Sequence, residues 1–113
     1  MSNRPAQLQN LIVHLLNLEQ VLALDPTCQW AGHFSRCLST AKWLASAGAS
    51  QDQLNELSGS VMSVFGGMGS FNDYAPVRST GDGAFAAISG MEGLTNVSGL
   101  VYDSALALRT VEP

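Results

Sequence analysis

Leucine and other apolar residues recur every three or four positions near the start of the chain. This spacing places them on one face of an α-helix and predicts a helix over residues 5–23. Asp25-Pro26 follows, and because proline disfavours the helical conformation in the residue before it, we expect the helix to stop there. The predicted buried stripe consists of Leu8, Leu11, Ile12, Leu15, Leu16 and Leu22.

The same periodicity returns in two further stretches. A second helix is predicted over 27–47 and ends before Gly48, since glycine is favoured just past a helix C-terminus. A third helix is predicted over 51–65, because Ser50 and Gln53 have the spacing of a capping box. The two expected stripes are Trp30, Phe34, Cys37, Leu38, Ala41, Leu44 and Ala45, and then Leu54, Leu57, Val61, Met62 and Phe65.

A last helix is predicted over 94–109, although Gly99 inside it costs about 1 kcal/mol relative to alanine. Its expected stripe is Leu94, Val97, Val101, Ala105 and Leu108. Residues 77–83 are expected to form a loop, and the apolar run 84–88 fits neither period clearly. The sequence therefore predicts an all-α fold. We expect a four-helix bundle-like single domain over residues 1–113, with an irregular glycine-rich loop between the third and last helices.

Charged residues are scarce, at 12% of the 113 residues against about 25% in a typical soluble domain. Such a surface is poorly protected against association, so we expect a protein partner or a homodimer. The net charge of −4 is concentrated after residue 47, where seven acidic residues stand against two basic ones. Nucleic acid is not an expected partner, because phosphate binding needs clustered lysine and arginine, whereas an acidic half suits a basic protein.

Cysteine and histidine could in principle build a zinc site or an activated nucleophile. His33 and Cys37 share a helical face, but no paired third and fourth ligands are evident. Cys28 and Cys37 on one helix would lie about 13.5 Å apart along its axis, too far for a disulfide. We therefore expect free thiols, no metal, no cofactor and no catalytic residues, so the protein is not expected to be an enzyme.

The most distinctive segment reads Gly66-Gly67-Met68-Gly69-Ser70-Phe71-Asn72-Asp73. It lacks the lysine and the preceding strand of a phosphate-binding loop. Glycines just past a helix permit positive φ, and Asn or Asp side chains can cap a turn, so a structural loop is expected. An exposed recognition loop is the alternative. The residues assigned to the loop are Gly66, Gly67, Gly69 and Asn72.

Together with Trp30-Ala31, this segment resembles a family of small bacterial proteins of unassigned function. Those proteins carry a Gly-Gly-Met-Gly-Ser-(Phe/Leu)-Asn-Asp signature between their first helices and a final helix, and the similarity spans most of residues 7–108. Small acidic helical proteins of this kind are often cognate immunity proteins, which neutralise toxins delivered between competing bacteria. The resemblance implies such an inhibitor, which would occlude the active site of a toxin with a basic surface.

The acidic half and the tryptophan that lies off the second stripe supply the candidate contacts with a partner, because an aromatic outside the core can anchor an interface. They are Asp52, Glu56, Asp73, Tyr74, Asp82 and Trp43. A helical adaptor or a self-associating structural protein would instead show a self-association surface. A small-ligand binder or an enzyme would show a pocket with a perturbed histidine, cysteine or carboxylate.

Two features of the N-terminal part bear on location. The apolar stretch 11–24 is too short and too polar to cross a membrane. The N-terminus also lacks the basic region, apolar region and small-residue site of a signal peptide. A cytoplasmic protein without membrane contact is therefore expected.

Overall fold

The computed structural model describes residues 4–65, 71, 74, 77–81 and 83–109. Its helices are α1 (Arg4–Leu22), α2 (Ala31–Ala47), α3 (Gln51–Met62) and α4 (Leu94–Arg109). An antiparallel hairpin lies between α3 and α4, with β1 at Val77–Ser79 and β2 at Phe85–Ala87. The predicted all-α, bundle-like fold is confirmed, and α4 has the predicted bounds. The hairpin was not predicted, and the expected loop over residues 77–83 was wrong for Val77–Ser79, which form β1.

The helices contact one another in ring order, and α4 closes the ring on α1. Arg4, at the start of α1, donates from Nε to Gln51 Oε1 at the start of α3 (2.9 Å) and from Nη1 to the Ala107 carbonyl near the end of α4 (3.2 Å). Gly48, just past α2, lines a groove with Arg4. Neighbouring helices therefore run in opposite directions, as in an up-and-down bundle. We call this the Arg4 end, and the opposite one the Asp25 end.

The core follows the predicted stripes closely. Leu16, Met62 and Val97 are partly buried, whereas Ala45 was wrongly assigned to the core: it is exposed, because the groove at the Arg4 end opens beside it. Ser58 is a buried residue that the stripes do not predict, and its hydroxyl donates to the Ala105 carbonyl of α4 at 2.6 Å. This bond satisfies a polar group inside the core and links α3 to α4.

The second helix begins at Ala31, so the predicted start at residue 27 was wrong. Asp25 supplies the reason. Its Oδ1 accepts from the Thr27 backbone N–H at 3.0 Å and from the Thr27 hydroxyl at 2.7 Å. The Cys28 N–H also donates to the Asp25 carbonyl, at 3.1 Å. Asp25 thus accepts from backbone N–H groups that would otherwise belong to the start of a helix. A turn therefore forms where the first residues of the predicted helix would lie.

The third helix begins where the capping box predicts and ends early. The Gln53 N–H donates to Ser50 Oγ at 3.2 Å, and the Ser50 N–H donates to Gln53 Oε1 at 2.9 Å. The helix stops at Met62 rather than at residue 65. The Phe65 N–H donates to the Met62 carbonyl at 3.0 Å, and the Phe71 N–H donates to the Val64 carbonyl at 2.7 Å. With these hydrogen bonds, the chain after Met62 forms a turn and does not continue the helix.

Two glycines should respond in opposite ways to alanine. Gly90 has φ +93°, and a Cβ there would lie 2.9 Å from Leu24 Cδ1, so Gly90→Ala should lower the free energy of unfolding by about 1 kcal/mol or more. Gly99 lies inside α4 with nothing within 4 Å of an added Cβ, so Gly99→Ala should raise it by about 0.5–1 kcal/mol. Urea unfolding measures both, and shifts of the same sign would contradict the assignment.

Candidate functional site

A buried carboxylate organises the Asp25 end of the bundle. Asp25 is 7% exposed and lies three residues after the end of α1. The Tyr74 hydroxyl donates to its Oδ2 at 2.6 Å, while both Thr27 donors occupy Oδ1. The carboxylate therefore joins the α1–α2 turn to the segment after α3. Both of its oxygens accept from the protein's own donors, so the carboxylate links two segments of the chain. We call these hydrogen bonds of Asp25 with Thr27 and Tyr74 the carboxylate tie.

The same contacts set the ionisation of both groups. The hydrogen bond from Tyr74, followed by that from Thr27, holds the pKa of Asp25 below its ordinary value, although burial acts in the opposite direction. Burial, with the hydrogen bond to Asp25, raises the pKa of Tyr74. At neutral pH the pair is an ionised carboxylate and a neutral phenol, which gives a charge-assisted hydrogen bond.

Aromatic rings pack around Phe71 at this end. The Phe71 centroid lies 5.0 Å from that of Phe34, 5.5 Å from Phe65 and 6.1 Å from Trp30, all in edge-on arrangements. Tyr74 stacks on Phe71 at 5.9 Å. Phe71 is buried, so this residue of the glycine-rich segment belongs to the core. At this position the signature contributes to folding.

His33 and Cys37 do come together, with 3.6 Å between Nε2 and Sγ. Burial raises the pKa of the Cys37 thiol to about 11, and the nearby Arg36 offsets only part of this effect. The thiol is therefore protonated at neutral pH, and the contact does not create an activated nucleophile. Over the residues that the structure describes, no group of three or more His, Cys, Asp or Glu side chains could hold a metal ion.

Trp43 is the most exposed of the described large hydrophobic side chains on the helices. It is 59% exposed on the side of α2 opposite the buried stripe. Ser39 and Ala47, one turn away on either side, are small and exposed, so the indole ring stands clear of its neighbours. A large amphipathic ring in this setting is typical of an interface anchor.

The two acidic candidates on α3 are also on the outside. Asp52 and Glu56 are exposed and one helical turn apart. Because α2 ends and α3 begins at the Arg4 end, they lie towards the same end as Trp43. We call these three residues the α2–α3 face. Lys42 is exposed beside Trp43, so the negative charge of this face is confined to α3.

The remaining predicted residues divide into two groups. Tyr74, predicted to contact a partner, is half-buried and places its hydroxyl on Asp25, so the structure gives it an internal role. The others lie outside the described residues, and the predictions for them stay predictions. They are the partner contacts Asp73 and Asp82 and the loop residues Gly66, Gly67, Gly69 and Asn72.

A mostly apolar groove of about 330 Å³ opens at the Arg4 end between α1, α2 and the start of α3. Leu8, Leu44 and Leu54 line it, and the Arg4 guanidinium at its edge is engaged by Gln51 and by the Ala107 carbonyl. Its described lining contains no histidine, cysteine or carboxylate.

Two features of the structure were missed at the sequence level. Asp25 was read only as a helix stop, although Asp25 with Thr27 two residues on is the pattern of an Asx turn. Phe85, on β2, is 71% exposed, and its run of apolar residues left the element type open. Its lack of charged neighbours was the available signal for an unprotected strand.

Residues 23–83 match a family model described as Domain of unknown function (DUF6966). No curated protein and no solved structure matches the chain. The matched region contains α2, α3, Asp25 and Tyr74, so the carboxylate tie lies within it. Among the helices of the described ranges, none is both long and apolar enough to cross a membrane.

Tyr74→Phe should lower the free energy of unfolding by about 1.5–3 kcal/mol at pH 7, because it removes a donor from a buried carboxylate. The lowered pKa of Asp25 means that its contribution is present above its ordinary pKa of about 4 and is lost as pH falls through the folded-state value. The difference between wild type and variant should therefore shrink in acid.

Tyr102→Phe is the matched control, since the Tyr102 ring packs on Phe65 at 5.2 Å and its hydroxyl has no hydrogen bond to the described part of the chain. Tyr102→Phe should lower the free energy of unfolding by less than about 0.5 kcal/mol. Urea unfolding at pH 7 and at pH 3 measures both variants. If Tyr74→Phe lowered the free energy of unfolding equally at the two pH values, the result would contradict a hydrogen bond from Tyr74 to an ionised Asp25.

The two thiols should differ in reactivity. Cys37 is buried with a raised pKa, whereas Cys28 is half-buried, so iodoacetamide at pH 8 should label Cys28 first and Cys37 at least tenfold more slowly. Mass spectrometry of timed digests measures the rates, with urea-unfolded protein as the control in which both react alike. Faster labelling of Cys37 in the folded protein would contradict its protonated, buried state.

Proposed function

The chain belongs to the family described as Domain of unknown function (DUF6966), and from its own surface we propose that it is a cognate immunity protein. It would bind a toxin delivered between bacteria and occlude the active site of that toxin. The inhibitor would act in the cytoplasm of the cell that produces it.

The observation that carries the proposal is Trp43, 59% exposed opposite the core of α2. A standard interface buries about 800 Å² per partner, and tryptophan is enriched among the few residues that supply most of its binding free energy. Exposing this ring in a free protein has no benefit for folding, because its apolar area stays in water. A partner that covers the Trp43 ring would account for both its exposure and the scarcity of charge on the protein surface.

The acidic residues of the α2–α3 face have a different role. Asp52 and Glu56 are exposed to solvent, where the attraction between charges is screened and contributes little to final affinity. Charges at an interface rim chiefly set the association rate and its salt dependence. A toxin that binds nucleic acid or another anionic substrate presents a basic active site, and an acidic rim would guide the inhibitor onto it.

Trp43→Ala should weaken binding to the secreted toxin encoded beside this gene by about 2 kcal/mol, roughly thirty-fold. Folding should be unaffected, because the ring stands outside the core. Calorimetry gives the affinity, and survival of cells that express both proteins gives the protection. Val13→Ala, which removes an apolar side chain 51% exposed on α1, is the control and should protect fully. Equal affinity for both variants would remove Trp43 from the interface.

Reversing Asp52 and Glu56 together to Lys should slow association several-fold at low salt and have little effect at high salt. Reversing Glu92 and Asp103, which are exposed outside the α2–α3 face, changes the net charge equally and serves as the control. Stopped-flow association rates at two salt concentrations distinguish a local from a global charge effect. Identical slowing by the two double variants would mean that only net charge matters. Failure of the wild-type chain to bind the neighbouring toxin would count against the immunity role itself.

A further inference from the structure

The hairpin stands away from the bundle. In the described ranges, no helical Cα lies within 8 Å of a Cα of β1 or β2. Phe85 is 71% exposed, and Val77 and Ala87 are exposed as well. An isolated two-stranded hairpin is only marginally stable in water, and apolar residues on it gain nothing from staying exposed. The hairpin therefore has the properties of an element that pairs with something else.

The hydrogen-bond pattern identifies the free edge. The Thr80 N–H donates to the Ala84 carbonyl at 3.1 Å, so these two residues form a hydrogen-bonded pair. Hydrogen-bonded and non-hydrogen-bonded pairs alternate along an antiparallel ladder, and the register places Ala86 in the next hydrogen-bonded pair. Phe85 and Ala87 are then in non-hydrogen-bonded pairs. Their N–H and C=O groups point away from β1, to the outer edge of β2.

Apart from its short length of three residues, this outer edge has none of the usual protection. Residues 83–88 contain no charged residue and no proline. Natural edge strands commonly carry a lysine, a proline or a bulge, since unpaired backbone groups otherwise accept another strand. The outer edge of β2 is therefore open to strand pairing, and its neutral sequence puts no like charges opposite each other when the second strand is identical.

We propose that the outer edge of β2 pairs antiparallel with β2 of a second copy of this chain, about a two-fold axis through Ala86. In this register Phe85 lies opposite Ala87 of the second copy, and both residues point their backbone groups across the axis. Four hydrogen bonds form, and the product is a four-stranded sheet with the order β1-β2-β2-β1. The two-fold relation makes the contact self-complementary and closed.

The side chains fit the same register. Phe85 and Ala87 lie on one face of β2, and each phenylalanine ring meets an alanine methyl group rather than another large side chain. Ala86 lies opposite Ala86 of the second copy in a non-hydrogen-bonded pair. A strand contact of three residues buries less than the roughly 800 Å² per partner of a standard interface. The dimer should therefore be weak and should dissociate on dilution.

Cysteine cross-linking tests the register in the full chain. Cα atoms in a non-hydrogen-bonded antiparallel pair are about 4.5 Å apart, which a disulfide can span. Ala86→Cys should give a reducible covalent dimer under a mild oxidant. Ala45→Cys places the same side chain at an exposed position on α2 and should cross-link at least tenfold more slowly. Equal rates would show that cross-linking reflects random collisions, and would overturn the proposal.

Sedimentation equilibrium tests the edge itself, at concentrations up to about 1 mM. Ala87→Pro removes an outward N–H without removing a bond to β1, so it should weaken dimerisation at least tenfold. Phe85→Ser, which keeps every backbone group, should also weaken it, and serves if the proline disturbs the hairpin. Trp43→Ala should leave the dimer intact, which separates this surface from the α2–α3 face.

Two outcomes overturn the second-copy proposal. Wild-type chain that stays monomeric at about 1 mM excludes it outright. Monomeric chain whose toxin binding is lost on Ala87→Pro and Phe85→Ser would assign the edge to a strand of the toxin instead. Because the proposed immunity role rests on Trp43, either result can occur with that role intact. Loss of the role would in turn leave a dimer through β2 unaffected.

Discussion

The hydrogen bond from Tyr74 to Asp25 is the interaction on which the Asp25 end of this protein depends. A hydrogen bond to a charged group contributes about 1.5–3 kcal/mol, so a carboxylate at 7% exposure depends on its donors. Two of them come from Thr27, and the third comes from a residue 49 positions further along the chain. The bond therefore fixes the α1–α2 turn and the segment after α3 relative to each other, and the rings around Phe71 pack over it.

Local signals predicted most of the helical frame. The capping box at Ser50 and the apolar stripe of α4 depend only on residues within a few positions, and both predictions were confirmed. The predicted start of α2 was wrong because the Asp25 side chain accepts from the Thr27 backbone N–H and favours a turn over a helix. That side chain is held in place by Tyr74, which is distant in sequence. The hairpin escaped prediction for a different reason, since three-residue strands are too short for an alternating pattern to be distinguished from chance.

The same distinction applies to the candidate site. Helical periodicity says which side of a helix faces outward, so the exposure of Trp43, Asp52 and Glu56 could be predicted from their positions relative to the stripes. Tyr74 lies outside any helix, where no periodicity applies, and its acidic surroundings in sequence suggested a surface role. What decided its place was a buried carboxylate elsewhere in the fold, which composition and spacing do not reveal.

The hairpin stands apart from the bundle, yet both its ends are fixed. Tyr74 is bound to Asp25 three residues before β1, and Met91 is buried four residues after β2. Two anchors this close to the strands define where the hairpin leaves the bundle. The carboxylate tie thus serves the fold and also sets the base of the hairpin. Trp43, towards the Arg4 end, depends only on the register of α2. The two outward-facing surfaces therefore rest on separate parts of the structure, and each can be altered without the other.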